Sequence, residues 1–136
     1  MQLAPIETIK KILAECNKIA VVGLSPKAGR PSNQVALYMQ QVGFDIIPVN
    51  PGQNEILGEV CYPDLLSIPE RVDVVDIFRR SDHVEPVVRD AIAIGAKVVW
   101  MQQGIVNEDA ARLAEEAGLT VIMDRCLKVD HMQFAV

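Results

Sequence analysis

Five short apolar runs, closed by glycine or proline turns and separated by helical patterns, constrain this chain more than any other feature. They occupy 18–23, 44–49, 72–78, 97–101 and 119–123. Each is a near-continuous stretch of Val, Ile, Leu and Ala, which suits strands covered on both faces rather than one. Between them the apolar residues recur at helical spacing. Ile6, Ile9, Ile12 and Leu13 predict a helix over 6–15 that precedes the first strand. Val35, Tyr38, Met39 and Val42 predict a second, capped by Ser32 and stopped by Gly43. A third, capped by Ser81 or Asp82, carries Val84 to Ile94, and a fourth follows an Asn107 cap and closes at Gly118. Residues 53–70 read as irregular with a short helix over 64–68, and 124–136 carries no clear pattern.

Strand and helix therefore alternate, and right-handed crossovers wind such units into an open α/β sheet of the Rossmann-like, doubly wound kind. The expected order of its five parallel strands is 3-2-1-4-5, with the whole of 1–136 as one domain. At 136 residues the chain is long enough to bury a core, and with aromatics at 4% that core must be mainly aliphatic.

Composition removes several function classes. The net charge is −5 and the cations are dispersed, so no basic stripe favours nucleic acid. No apolar run spans a membrane, and the opening MQLAPIETIKK does not read as a signal peptide. Cys16, Cys61 and Cys126 are far apart and odd in number, as reduced thiols of a cytoplasmic protein would be.

Doubly wound sheets bind ligands at the carboxyl ends of their strands. The first such end reads Gly23-Leu24-Ser25-Pro26-Lys27-Ala28-Gly29-Arg30 and runs into a helix. Backbone amides, the Ser25 hydroxyl, Lys27 and Arg30 together suit a phosphate, which the helix N-terminus also favours. The G-x-S-x-x-x-G spacing is neither the dinucleotide fingerprint nor the P-loop. After the second strand stand Asn50 and Pro51, where an NAD enzyme usually carries an acid for its ribose. They serve equally as turn residues. Phe78 and Arg79 end the third strand, as core and solvated residues or as an adenine cover and phosphate contact. Gln103 and Gly104 follow the fourth, where Gly104 permits close backbone approach and the glutamine offers neutral hydrogen bonds.

No catalytic constellation assembles. His83 and His131 are the only histidines, and Cys126 with His131 lacks same-face helical spacing. Metal-ligand spacing is absent. Asp73 and Asp76 stand out as acids inside an apolar strand.

The stretches VVGLSPKAGRPSNQVALYMQQVGFDIIPVNP, EILGEVCYPDL, VDVVDIFRR and VWMQQGIVNEDAARLAEEAGLTVIMDRCLKVDH resemble the small stand-alone CoA-binding proteins. These are related to the N-terminal CoA-binding domain of the succinyl-CoA synthetase α subunit. The resemblance runs from Ile12 to His131 and implies a Rossmann-like domain that holds coenzyme A or an acyl-CoA. It implies Gly23, Ser25, Lys27 and Arg30 as the phosphate loop and Asn50 and Pro51 on the adenosine side. It further implies Phe78 and Arg79 as the third-strand contact and Gln103 with Gly104 as the floor under the pantetheine arm. The synthetase's phosphorylated histidine belongs to a second domain, so the resemblance implies ligand without ligase chemistry. The rival expectations are an NAD(P)- or acyl-CoA-using enzyme and a CoA-sensing module with a protein partner or a second copy. Under oxidising conditions Cys126 would form a mixed disulfide with the CoA thiol if it lay near the site.

Overall fold

The computed structural model describes residues 6–135; the first residues of the opening stretch read above as no signal peptide lie outside them. Five parallel strands form the sheet: β1 (Lys18–Val22), β2 (Asp45–Val49), β5 (Val74–Ile77), β6 (Val98–Met101) and β7 (Thr120–Met123). They lie in the order β2-β1-β5-β6-β7. β3 (Glu55–Ile56) and β4 (Glu59–Val60) make a separate antiparallel hairpin within the stretch read as irregular.

The expected 3-2-1-4-5 pattern appears with one reassignment. Outside β2 the third place is held only by Tyr62, in a single parallel bridge to Val49. Tyr62 N–H donates to the Pro48 carbonyl at 3.0 Å, and Asn50 N–H donates to the Tyr62 carbonyl at 2.9 Å. The strand expected third (72–78) crosses instead to the far side of β1, where Val21 faces Asp76 in register. The chain after β2 spends 55–60 on the β3–β4 hairpin, and the outer place is left with one rung.

Side-chain alternation divides the core into two layers. Ile19, Val21, Ile46 and Trp100 pack beneath α1 (Ile6–Glu15), α2 (Pro31–Gln41) and α5 (Leu127–Phe134). Ala20, Val22, Val75 and Met101 face α3 (Val84–Ala93) and α4 (Glu108–Glu116). Every residue of β5 and β6 is buried, which is why those runs show no polar alternation. α5 was not legible because its apolar residues, Leu127, Val129, Met132 and Phe134, do not fall on one face, and Val129 and Met132 are exposed.

Two expected caps are displaced. Pro31 starts α2 and Arg30 takes the cap position, while Ser32 lies inside the first turn. Ser81 belongs to a 3-10 turn over Ser81–His83 that precedes α3. Asn107 caps α4 as expected, its side chain accepting from Ala110 N–H.

At the amino ends of the strands, buried Asp73 closes the sheet. Its carboxylate accepts amide protons from Asn17 and Lys18 at 3.0 Å and meets Arg71 and Lys97. Burial pushes its pKa upward, but those amides and cations outweigh it and hold the group below its ordinary value.

Candidate ligand site at the carboxyl edge

β1 ends at Gly23, whose φ of +87° turns the chain toward α2. The residue is pinned on both sides. Its N–H donates to the Val49 carbonyl at 2.9 Å, while the Phe78 carbonyl stands where a Cβ would project. The loop beyond is built from its own polar groups. Ser25 N–H donates to Ser32 Oγ at 3.0 Å, and Ser25 Oγ accepts from Lys27 N–H at 3.1 Å. Asn33 donates to the Ser25 carbonyl at 2.9 Å, and Asn50 donates to the Leu24 carbonyl at 2.9 Å. Ser32 and Asn33 are buried although polar, because they hold the loop against the helix.

A cavity of about 350 Å³ opens over this loop. Gly23, Ser25, Lys27, Arg30, Phe78 and Arg79 all line it, joined by Pro31, Ser32 and Ile105. Among the described residues Lys27, Arg30 and Arg79 make no ion pair, whereas neighbouring Arg80 pairs with Asp82 at 3.1 Å. Three uncompensated cations and a helix N-terminus thus face one cavity, and an anion there satisfies both.

The remaining candidates fall outside the lining. Asn50 sits beside the loop and accepts from Gly52 N–H at 2.9 Å, so it ties the β2 turn to the β1 loop. Pro51 is exposed in that turn. Gln103 and Gly104 lie exposed in the turn after β6, and Ile105 reaches the cavity in their place. Ile105 was missed because a single isoleucine beyond a glycine carries no sequence signal. Gln102, between the fourth strand and Gln103, carries no signal of its own in the sequence. It is buried, and its side-chain carbonyl accepts from Leu127 N–H at 3.1 Å.

The groups weighed for catalysis are dispersed. His83 is exposed in the turn before α3. His131 lies on α5, where Nδ1 and the Tyr38 hydroxyl are 2.7 Å apart. His131 lines a different cavity, of about 390 Å³, at the opposite end of the sheet. That cavity is slightly larger, yet its one lysine, Lys10, already faces Glu7 at 3.8 Å. The carboxyl-edge cavity, by contrast, is lined by three cations that make no ion pair among the described residues. Cys126 stands at the start of α5 and does not line it. Asp76 points away into the layer under α1, α2 and α5, fully buried, with neither carboxyl oxygen hydrogen-bonded. Burial pushes its pKa well above the ordinary carboxylate value.

The family described as "CoA binding domain" matches residues 17–132. The chain is 46% identical over 123 residues to "Uncharacterized protein YneT" of Bacillus subtilis (strain 168), covering 90% of this chain and 91% of that one. It is 27% identical over 128 residues to "Acetate--CoA ligase [ADP-forming] I" of Archaeoglobus fulgidus, covering 87% of this chain but only 19% of the ligase. Among solved structures, a hypothetical protein from Pyrococcus horikoshii OT3 superposes with a TM-score of 0.94 at 40% identity, over 98% of this chain and 96% of that one. No helix among the described residues is long and apolar enough to cross a membrane. The matched family, the sheet and the loop geometry lead to one assignment: the chain belongs to the CoA-binding domain family and is related to the corresponding domain of ADP-forming acetate–CoA ligases.

Proposed function

We propose that the protein binds coenzyme A or an acyl-CoA at the carboxyl edge of its sheet and carries out no reaction of its own. The observation that carries this reading is the convergence of Lys27, Arg30 and Arg79, all unpaired among the described residues, on the cavity over Gly23 and the start of α2. The whole chain has a net charge of −5, so three free cations in one place are a local arrangement rather than a consequence of composition. CoA carries a pyrophosphate and a 3′-phosphate, and the first amides of α2, the Ser25 hydroxyl and these cations are the donors such groups need. Phe78 and Ile105 supply the apolar wall for the rest of the molecule. Asn50 in place of an acid after β2 leaves no carboxylate to grip an NAD ribose. The ligase relative is about five times longer, and its chemistry is not transferred with this segment.

Isothermal titration of the purified protein with CoA, acetyl-CoA and NAD tests the reading. CoA should bind and NAD should bind at least tenfold more weakly. Lys27→Ala with Arg30→Ala should lower CoA affinity by about 2–3 kcal/mol, two charge-assisted contacts being lost. Unchanged CoA affinity in that double variant overturns the assignment of the loop.

A further inference from the structure

We propose that Asp124 is a positioning residue for the ligand site, holding the turn after β6 so that Ile105 forms the far wall of the cavity. This rests on the CoA reading above and adds to it a residue that touches no part of the cavity.

Asp124 follows β7 with φ at +60°, one of two non-glycine residues among those described with positive φ. Aspartate tolerates this region better than most residues, but an ordinary turn would not require it there. The conformation directs its side chain across the carboxyl edge, where Oδ1 accepts from Gly104 N–H at 2.6 Å. Gly104 is itself left-handed, with φ of +87°, and Ile105 comes next. Two left-handed residues on adjacent strand ends, of which the aspartate is the unusual one, therefore meet in one hydrogen bond.

The neighbouring contacts make that bond the last member of a set. Trp100 Nε1–H donates to the Arg125 carbonyl at 2.8 Å, Arg125 N–H donates to the Met101 carbonyl at 3.3 Å, and Leu127 N–H donates to Gln102 at 3.1 Å. These fix residues up to 102 on a buried base. Within the exposed turn beyond it, Ile105 N–H donates to the Gln102 carbonyl at 2.9 Å and Val106 N–H to Ser81 Oγ at 3.1 Å. Among the described residues, Asp124 is what holds that turn from the β7 side. An acid is also electrostatically wrong beside a site for a polyanion, which argues that its geometry rather than its charge is what this position uses.

Lys27 and Arg30 sit over β1, Arg79 over β5 and the Ile105 turn over β6, which is two strand spacings or roughly 10 Å from β1. A ligand anchored by its phosphates on Lys27 and Arg30 meets Ile105 with its neutral arm. Losing Asp124 should thus weaken CoA but spare a fragment lacking the pantetheine arm.

The test titrates the full-length wild type, Asp124→Gly and Asp124→Asn with CoA and with adenosine 3′,5′-bisphosphate. Glycine adopts positive φ freely yet has no acceptor, while asparagine keeps both the conformation and the oxygen. Asp124→Gly should lose about tenfold in CoA affinity, the size of one hydrogen bond. Its affinity for the bisphosphate should stay within about twofold, and Asp124→Asn should retain wild-type affinity for both. The Gly104 amide proton should shift upfield in Asp124→Gly without ligand. An unchanged CoA affinity in Asp124→Gly, or an equal loss for both ligands, overturns the positioning role. Failure of the wild type to bind CoA overturns the site reading itself, and this inference with it.

Discussion

Gly23 is the residue on which the loop's path depends. Its φ of +87° is strained for any side chain, and an added Cβ would fall closer than 3.0 Å to the Phe78 carbonyl oxygen. That oxygen belongs to the backbone at the end of β5 and cannot rotate away. Gly23→Ala should therefore cost about 2–4 kcal/mol in urea unfolding and abolish CoA binding even where the variant still folds. An alanine variant with wild-type stability would mean that the turn is not held as described. Asp76 gives the second residue-scale expectation, and its sign is opposite to the usual acid. Because its folded pKa is raised above the ordinary 3.8, the folded protein keeps a proton that the unfolded chain releases. Stability from this group is full below that value and declines as pH rises toward the folded pKa. Asp73, held below its ordinary value, works the other way: its contribution is present above 3.8 and is lost as pH falls through the folded pKa. In Asp76→Asn the variant should gain on the wild type by about 1.4 kcal/mol per pH unit across that window, followed by thermal melts from acid to neutral pH. A constant gap would show that Asp76 is already paired. Gly23 was legible because a strand must turn where its apolar run stops. The inward direction of Asp76 was not, since a carboxylate in a strand looks alike on either face until the helices are placed.

At the scale of elements, the strand ends are joined by side chains that leave their own loop. Asn107 illustrates this. Its Oδ1 accepts from Ala110 N–H at 2.9 Å to cap α4, while its Nδ2 donates to the Ser81 carbonyl at 2.9 Å. Ser81 Oγ in turn accepts from Val106 N–H at 3.1 Å. The β5–α3 and β6–α4 loops are thereby tied together beside Ile105. Asn107→Ala should destabilise the fold by about 1–2 kcal/mol in chemical denaturation, the loss of a cap together with a second bond. Asn107→Asp, which keeps the cap but not the donation to Ser81, should recover roughly half. An alanine variant as stable as the wild type would remove Asn107 from the cap. The cap itself was readable from the sequence because asparagine before a run of alanine and leucine has a local meaning. The Ser81 link was not, because it joins residues 26 apart whose proximity only the sheet order creates. The same holds for β5, whose strand pattern is plain while its place beside β1 depends on where the connection crosses.

The charge of the whole molecule and the charge of its site have opposite signs. A net −5 repels a polyanionic ligand at long range, and Lys27, Arg30 and Arg79 attract it at short range. The sequence made the loop cations visible and offered Arg79 as a phosphate contact, but not its place beside them. Only the adjacency of β1 and β5 brings it to Lys27 and Arg30. Salt screens the two effects differently. At about 0.1 M the Debye length is roughly 10 Å, so distant repulsion fades first, while contact pairs persist until higher concentration. CoA affinity should therefore change little, or rise slightly, from about 0.01 to 0.1 M salt and fall several-fold toward 1 M. In the Lys27→Ala, Arg30→Ala double variant the high-salt fall should nearly vanish, leaving only Arg79 to be screened. Calorimetric titrations across that series, backed by the rise in melting temperature at fixed CoA, measure both limbs. A double variant with the wild-type salt slope would place the phosphates elsewhere on the sheet edge.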